Sequence, residues 1–433
     1  METAERGERA GAGPGRGRGP GERRRRRRIA VALAGLALAA VLVALFVTVW
    51  NFSSLVVVPD HGERPQDVTV EAVRPGSVVL SRNDYSGLPG TYALVWQGGR
   101  AVVGEVLRDD GDTVTRRLRS VDGYLVPGTE VAVDFDVWAG DPRQALGIPF
   151  RAVRYPSEAG PMPAWEVPGR SRTWAIVVHG INGDPQIGLR LLPTLRRAGM
   201  PTLLIGYRED LGAPSVDGKH HMGLTEWRDV QGAARYALRH GARRLVLVGY
   251  SMGGAIVSQF MQRSPLAERV TGLVLDAPAL DWRQILAFNA TEMGLPAFAA
   301  KPVEWMIGAR IEVDWDSLDA ARHPDAFRLP ILLFHGTADE VVPLAVSEEF
   351  AAALPEFVDL VRVPDAGHVG AWNAAPRRYE GRLLAFLRSA AVGAAAGGGA
   401  SGGAQARAPE REQGDGEQRP GPVSAEHDEE QAR

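Results

Sequence analysis

The segment that most restricts this chain is a run of 22 residues, Ile29 to Trp50, with no charged side chain, set directly behind six consecutive arginines, Arg23 to Arg28. As a helix rising 1.5 Å per residue the run is roughly 33 Å long, the thickness of a bilayer's hydrocarbon core. Trp50 and Phe52 would sit at the far interface. An uncleaved signal anchor fits best. A cleaved signal peptide fits less well, because the run exceeds the usual ~7–15 apolar residues and no small-x-small site follows Trp50. A buried soluble helix is the third reading. The arginines serve as a positive-inside signal. Residues 1–28 are then a disordered, basic cytoplasmic segment, and residues 51–433 lie outside a cell membrane crossed once.

Other global features exclude more than they assign. The net charge is −3, from 49 basic and 52 acidic residues, so no overall field gathers nucleic acid. No aromatic residues interleave with the arginine run, so nucleic acid is not an expected partner. The chain has no cysteine, which removes disulfides, thiolate metal sites and cysteine nucleophiles together. Residues 391–433, Ala/Gly-rich and then acidic, form a solvated tail without assigned chemistry.

Two folded regions lie between the ends. Residues 60–150 hold short Val-, Thr- and aromatic-rich runs separated by turn signals such as Arg74-Pro75-Gly76, Leu88-Pro89-Gly90 and Pro127-Gly128. That pattern predicts a small antiparallel β unit. In residues 151–390, apolar runs (Ala175–Val178, Thr202–Ile205, Leu245–Val248, Leu273–Leu275, Ile331–Phe334, Val358–Val363) alternate with helix-length stretches (Ile187–Ala198, Glu226–Arg239, Ala255–Arg263). This is an α/β pattern with a parallel sheet covered on both faces. In such sheets reactive groups collect at the carboxyl ends of the strands.

Three strand ends carry chemistry. Gly249-Tyr250-Ser251-Met252-Gly253-Gly254 follows an apolar strand and opens a helix, so the glycines allow a sharp turn that thrusts Ser251 outward. A serine hydroxyl needs a base, and His368 follows the last strand in Asp365-Ala366-Gly367-His368. The base needs a carboxylate, and Asp339 follows Ile331–Phe334 in His335-Gly336-Thr337-Ala338-Asp339. Asp276 is the rival carboxylate and Asp281 a remote third. The oxyanion donors are expected to be the backbone amides of Met252 and Ile181, with Asn182 as second choice to Ile181. His179 organises its loop. Asp217, His220 and His221 read as a polar loop, so no metal and no organic cofactor is expected.

His179-Gly180, the Ser251 turn, His335-Gly336-Thr337-Ala338-Asp339 with Val342-Pro343, and Ala366-Gly367-His368 resemble the α/β-hydrolase superfamily, in that family's Ser–Asp–His order. The likeness covers about residues 148–390. It implies an α/β-hydrolase fold with a mostly parallel eight-stranded sheet, a Ser251 nucleophile, a His368 base and an Asp339 acid. Among subgroups the chain looks most like bacterial membrane-anchored esterase- or lipase-like enzymes, grouped near prolyl-oligopeptidase-type peptidases. Residues 278–324, rich in Trp, Phe and Met, fall where a cap is inserted, either as an acyl pocket lid or as plain packing. The expected function is a membrane-anchored serine hydrolase that cleaves small-molecule or lipid carboxylic esters. A serine peptidase and a catalytically silent scaffold are the rivals.

Overall fold

The computed structural model describes residues 20–62 and 64–396. The bulk of the basic N-terminal segment (residues 1–19) and of the acidic tail (397–433) therefore lies outside the described residues. Helix α1 spans Pro20–Val57, longer at both ends than the apolar run. The arginines, expected to be disordered, continue the helix. Once the apolar run has nucleated a helix, each added arginine costs little, since arginine is a good helix former. This helix is long and apolar enough to cross a membrane, and its apolar run is exposed along its length.

Six strands follow: β1 (Val68–Arg74), β2 (Ser77–Ser81), β3 (Tyr92–Trp96), β4 (Gly99–Asp109), β5 (Thr113–Asp122) and β6 (Glu130–Asp134). All their pairings are antiparallel, and pairing of β1 with both β2 and β6 closes them into a barrel in the order β1-β2-β5-β4-β3-β6. Alternating residues turn inward, so Val78, Leu80, Tyr92, Leu94 and Val103 fill the interior. One charge is buried with them. The Arg116 guanidinium donates to the carbonyls of Ser86, Leu88, Gly90 and Gly104 at 2.7–3.1 Å, and burial lowers its pKa to about 10.

The short helix α2 (Pro142–Leu146) leads into the second domain. Its mixed sheet has eight strands in the order β14-β13-β12-β11-β9-β10-β8-β7. They are β7 (Arg151–Ser157), β8 (Gly160–Val167), β9 (Thr173–Val178), β10 (Thr202–Ile205), β11 (Arg244–Tyr250), β12 (Val270–Asp276), β13 (Ile331–Gly336) and β14 (Val358–Val363). Neighbours from β14 through to β10 are parallel, while β8 and β7 form an antiparallel edge. The helices are α3 (Leu192–Arg197), α4 (Trp227–Arg239), α5 (Met252–Arg263), α6 (Trp282–Glu292), α7 (Lys301–Arg310), α8 (Leu344–Ala353), α9 (Ala371–Ala374) and α10 (Pro376–Ala396). The expected helix over Ile187–Ala198 is instead a 3-10 turn (Pro185–Leu191) running into α3. Its start is set by Pro185 and by Asp184, which accepts from the Gln186 amide at 2.6 Å. Helices α6 and α7 fill the insertion between β12 and β13.

A buried polar knot joins the barrel to the α/β domain. Asn373 donates through Nδ2 to the carbonyls of Thr91 (2.7 Å) and Phe135 (2.9 Å), and its own carbonyl accepts from the Thr91 amide at 3.0 Å. Arg190 donates to Asn373 Oδ1, Asp136 Oδ1 and the carbonyls of Phe135 and Val369, all within 3.2 Å. Asn373→Ala orphans two carbonyls and one arginine donor. We expect it to destabilise the protein by roughly 1–3 kcal/mol, read as a lowered thermal unfolding midpoint.

Candidate active site

Strand β11 ends at Tyr250 and α5 begins at Met252, which leaves Ser251 alone in the turn with φ 51° and ψ −119°. That conformation is strained for a residue with a side chain and survives because its surroundings over-determine it. The Ser251 amide donates to the carbonyl of Asp276 (3.1 Å), and the Ser251 carbonyl accepts from Gly254 (2.9 Å) and Ala279 (3.0 Å). Glycine is obligatory at Gly253, where a Cβ would lie 2.3 Å from the Val178 carbonyl oxygen.

His368 sits on the loop after β14. Its Nε2 is 2.9 Å from Ser251 Oγ, and its Nδ1 is 2.9 and 3.0 Å from the two Asp339 oxygens. A carboxylate only accepts, so Nδ1 carries the proton and Nε2 is free to accept from the serine hydroxyl. Asp339 Oδ1 also accepts from the amides of Val341 (3.0 Å) and Val342 (2.9 Å). Burial raises the Asp339 pKa, but the facing His368 and His335 outweigh it and hold this carboxyl below its ordinary range. Burial lowers the His368 pKa, but Asp339 outweighs it, with Glu340 and Asp276 adding, and the net shift is upward from 6.5.

Neither rival carboxylate bonds His368. Asp276 is fully buried at the end of β12, and among the described residues its carboxylate oxygens have no hydrogen-bond partner. Burial pushes its pKa up to about 6 against the pull of Arg190. Its contribution to the site is the backbone carbonyl that holds Ser251. Asp281 caps α6, accepting from the amides of Arg283 and Gln284.

The loop after β9 closes the site. Gly180 packs against Ser251, since a Cβ there would be 3.0 Å from the serine Cβ. Ile181 lines the same cavity as Ser251. Among the described residues neither the Ile181 nor the Met252 amide has an acceptor, so both are free to bind an anion. His179 is buried, stacks on Tyr207 at 4.3 Å, and bonds Asp210 through Nε2 at 2.8 Å and the Gly180 carbonyl through Nδ1 at 2.9 Å. It therefore holds the loop. His220 faces Asn182 and His221 faces Asp217, so the paired histidines point to different partners.

Sequence reasoning gave His335 and Arg190 no role. His335 Nε2 lies 3.3 Å from Asp339, and its Nδ1 lies 2.7 Å from Ser347 Oγ. Arg190 anchors Val369, next to His368. A buried polar residue inside a motif was the available signal for His335, and nothing local marked Arg190.

The cavity above Ser251 measures about 250 Å³ and is lined almost wholly by apolar side chains, Trp282, Ile285, Leu286 and Val303 of the insertion among them. A larger polar cleft of about 670 Å³ lies between the barrel and the sheet edge, and Ser251 does not line it.

Residues 215–410 match the prolyl oligopeptidase family, and residues 69–134, the barrel, match a domain of unknown function (DUF8805). The chain is 24% identical over 289 residues to the uncharacterized protein YfhR of Salmonella typhimurium, covering 62% of this chain and 91% of that one. It is 28% identical over 207 residues to the uncharacterized protein Rv2307c of Mycobacterium tuberculosis, covering 46% and 64%. Among solved structures it is similar to the Pyrococcus furiosus esterase Pf2001, at 18% identity and TM-score 0.48, covering 58% of this chain and 95% of that one. It is also similar to a membrane phospholipase A, at 19% identity and TM-score 0.41, covering 56% and 86%. The strand order, the turn carrying Ser251 and the family match over residues 215–410 are those of an α/β-hydrolase-like fold.

Asp339→Asn removes the acceptor that fixes the imidazole, and kcat should fall about 10³–10⁴-fold. Asp276→Asn should cost far less rate. It should also remove a pH effect. An acid whose folded pKa is about 6 against an ordinary 3.8 binds more protons folded than unfolded between those values. The wild type then loses on the order of 3 kcal/mol as pH rises from 4 to 7, and the variant does not. Unfolding midpoints across that range measure it.

Proposed function

We propose that this protein is a membrane-anchored serine hydrolase of carboxylic esters. The observation that carries the proposal is the unbroken Asp339–His368–Ser251 hydrogen-bond chain, which ends in a small apolar cavity. His368 takes the Ser251 proton as Ser251 Oγ attacks the ester carbonyl carbon. The amides of Ile181 and Met252 receive the oxyanion. His368 then protonates the leaving alcohol, leaving an acyl-enzyme. Water, deprotonated by His368, attacks the acyl carbon, and the released Ser251 oxygen recovers its proton. Among the cavity's lining residues only Ser251 and Asn289 are polar, so an acyl chain is better matched there than a peptide backbone. Helix α1 anchors the enzyme in a single pass, with the arginines inside and the catalytic domain outside the cell membrane.

A peptidase is the second reading, favoured by the prolyl oligopeptidase match. A fluorophosphonate probe should label the protein and not Ser251→Ala, and ester and peptide panels then separate the readings. Cleavage of peptides alone overturns the ester assignment, and absence of labelling overturns the hydrolase mechanism.

The pH dependence has a fixed sign. His368 acts as a base only when neutral, and Asp339, Glu340 and Asp276 together raise its pKa above 6.5. Ester kcat/KM should therefore fall on acidification with a midpoint above 6.5, and Asp339→Asn should move that midpoint down.

A further inference from the structure

Helix α1 does more than end near the catalytic domain. Ser53 and Val57 on its last turns are fully buried. Arg310 of α7 lies 4.3 Å from the Trp50 ring centre and donates to Ser53 Oγ (2.7 Å) and Ser54 Oγ (2.8 Å). The Val57 carbonyl accepts from the His220 amide at 2.8 Å. Just beyond the helix, the Asp60 amide donates to Asn182 Oδ1 at 2.9 Å, and Asn182 directly follows the proposed oxyanion donor Ile181. The anchor is thus fastened to the oxyanion loop and to the insertion, with no free linker between.

Three α1 residues, Phe52, Leu55 and Val56, line the same cavity as Ser251. Trp50 and Leu55 are five residues apart, about 7–8 Å of helix rise, so the mouth lies within about two turns of the end of the apolar run. The rim is exposed and apolar. Leu55 on α1 and Met293 and Leu295 after α6 line the cavity yet face outward. Phe298, next in sequence to the lining residue Ala299, is 75% exposed, and Trp305, two positions past the lining residue Val303 on α7, is 72% exposed. A cluster of exposed large apolar side chains continuous with a membrane-length helix is costly in water and favourable at a bilayer surface.

We infer that α1 is one wall of an acyl-binding site whose mouth opens onto the leaflet at its C-terminal end, and that the substrate is a lipid ester whose chain enters from the bilayer. This rests on the ester hydrolase reading and adds to it the substrate class and its route. Phe52, Leu55 and Val56 become specificity residues. The cavity, at about 250 Å³, falls below the ~300–1,000 Å³ of drug-sized sites and holds one chain.

The test uses the full chain in phosphatidylcholine vesicles with two probes. One is a long-chain monoacylglycerol with a fluorogenic acyl group, dissolved in the bilayer, and the other is p-nitrophenyl acetate in the surrounding water. Fluorophosphonate labelling checks that each variant keeps a working Ser251. We expect Leu55→Trp, which fills the mouth, to lower the ratio of bilayer to soluble turnover about tenfold or more. The doubly substituted Phe298→Asp, Trp305→Asp protein should do the same, and it decides the matter if Leu55→Trp is not labelled. Tyr124→Asp, at an exposed barrel position, should leave the ratio within about twofold of wild type. The inference is overturned if the labelled wall and rim variants keep the wild-type ratio, or if the wild type cleaves acetate and not the bilayer ester. Failure to cleave either ester instead overturns the ester hydrolase reading beneath it.

Discussion

The whole site depends on one backbone contact. At Gly253 the first turn of α5 approaches the end of β9 so closely that a Cβ would meet the carbonyl oxygens of Val178 and His179 at 2.3 and 2.5 Å. That approach lets β11 turn into a helix within one residue and forces Ser251 above the sheet. It also sets the loop after β9 against Ser251, through Gly180. The two free amides at Ile181 and Met252 therefore belong to one rigid unit, whose spacing follows from the parallel register Val178 opposite Gly249. The strain at Ser251 is offset by three backbone hydrogen bonds from segments that the same sheet fixes. A serine held this way needs no reorganisation before it could act as the proposed nucleophile.

The imidazole is set from the opposite side. Arg190 lies wholly buried between the barrel and the loop that follows His368, a costly place for a cation unless every donor is used. Its guanidinium finds Asp136, Asn373 and two carbonyls, and it sits 5.9 and 5.7 Å from the rings of Tyr250 and Trp372. The barrel thereby becomes part of the scaffold that holds His368 in line with Asp339. Barrel closure leaves no open strand edge, so this domain offers rigid carbonyls at Thr91 and Phe135 and no surface for strand addition.

The parts legible in the sequence are those whose chemistry follows directly on a continuous apolar run. Ser251 and Asp339 each come just after such a run, while His368 follows Val358–Val363, an edge strand that carries Asp359 and Arg362 between its apolar residues. Asp276 met the same criterion and was a fair rival. Its carboxylate is fully buried and makes no hydrogen bond to His368, and a strand's last residue can face either way, which sequence alone does not fix. Barrel closure was not legible, because the pairing of β1 with β6 joins residues some sixty positions apart through alternating patterns that fit many partners. Nor was the role of α1 beyond Trp50. Phe52 reads as an interfacial aromatic, and only tertiary packing shows that it faces the cavity of Ser251.

That packing changes what the proposed anchor means physically. A helix tied to its enzyme by a loose linker fixes only the distance from the bilayer and lets the active site sample every orientation. Here the buried Ser53 and Val57, the Arg310 clamp and the Asp60–Asn182 bond allow no such freedom, so the tilt of α1 dictates where the cavity mouth points. On the proposed reading, with Trp50 at the interface, the apolar rim meets the leaflet without the protein unfolding or detaching any element. The entropy of orienting the site toward the membrane is then lost once, on folding, and not again at each encounter with substrate. A rigidly docked anchor is therefore worth its structural constraint chiefly if the substrate itself resides in the bilayer.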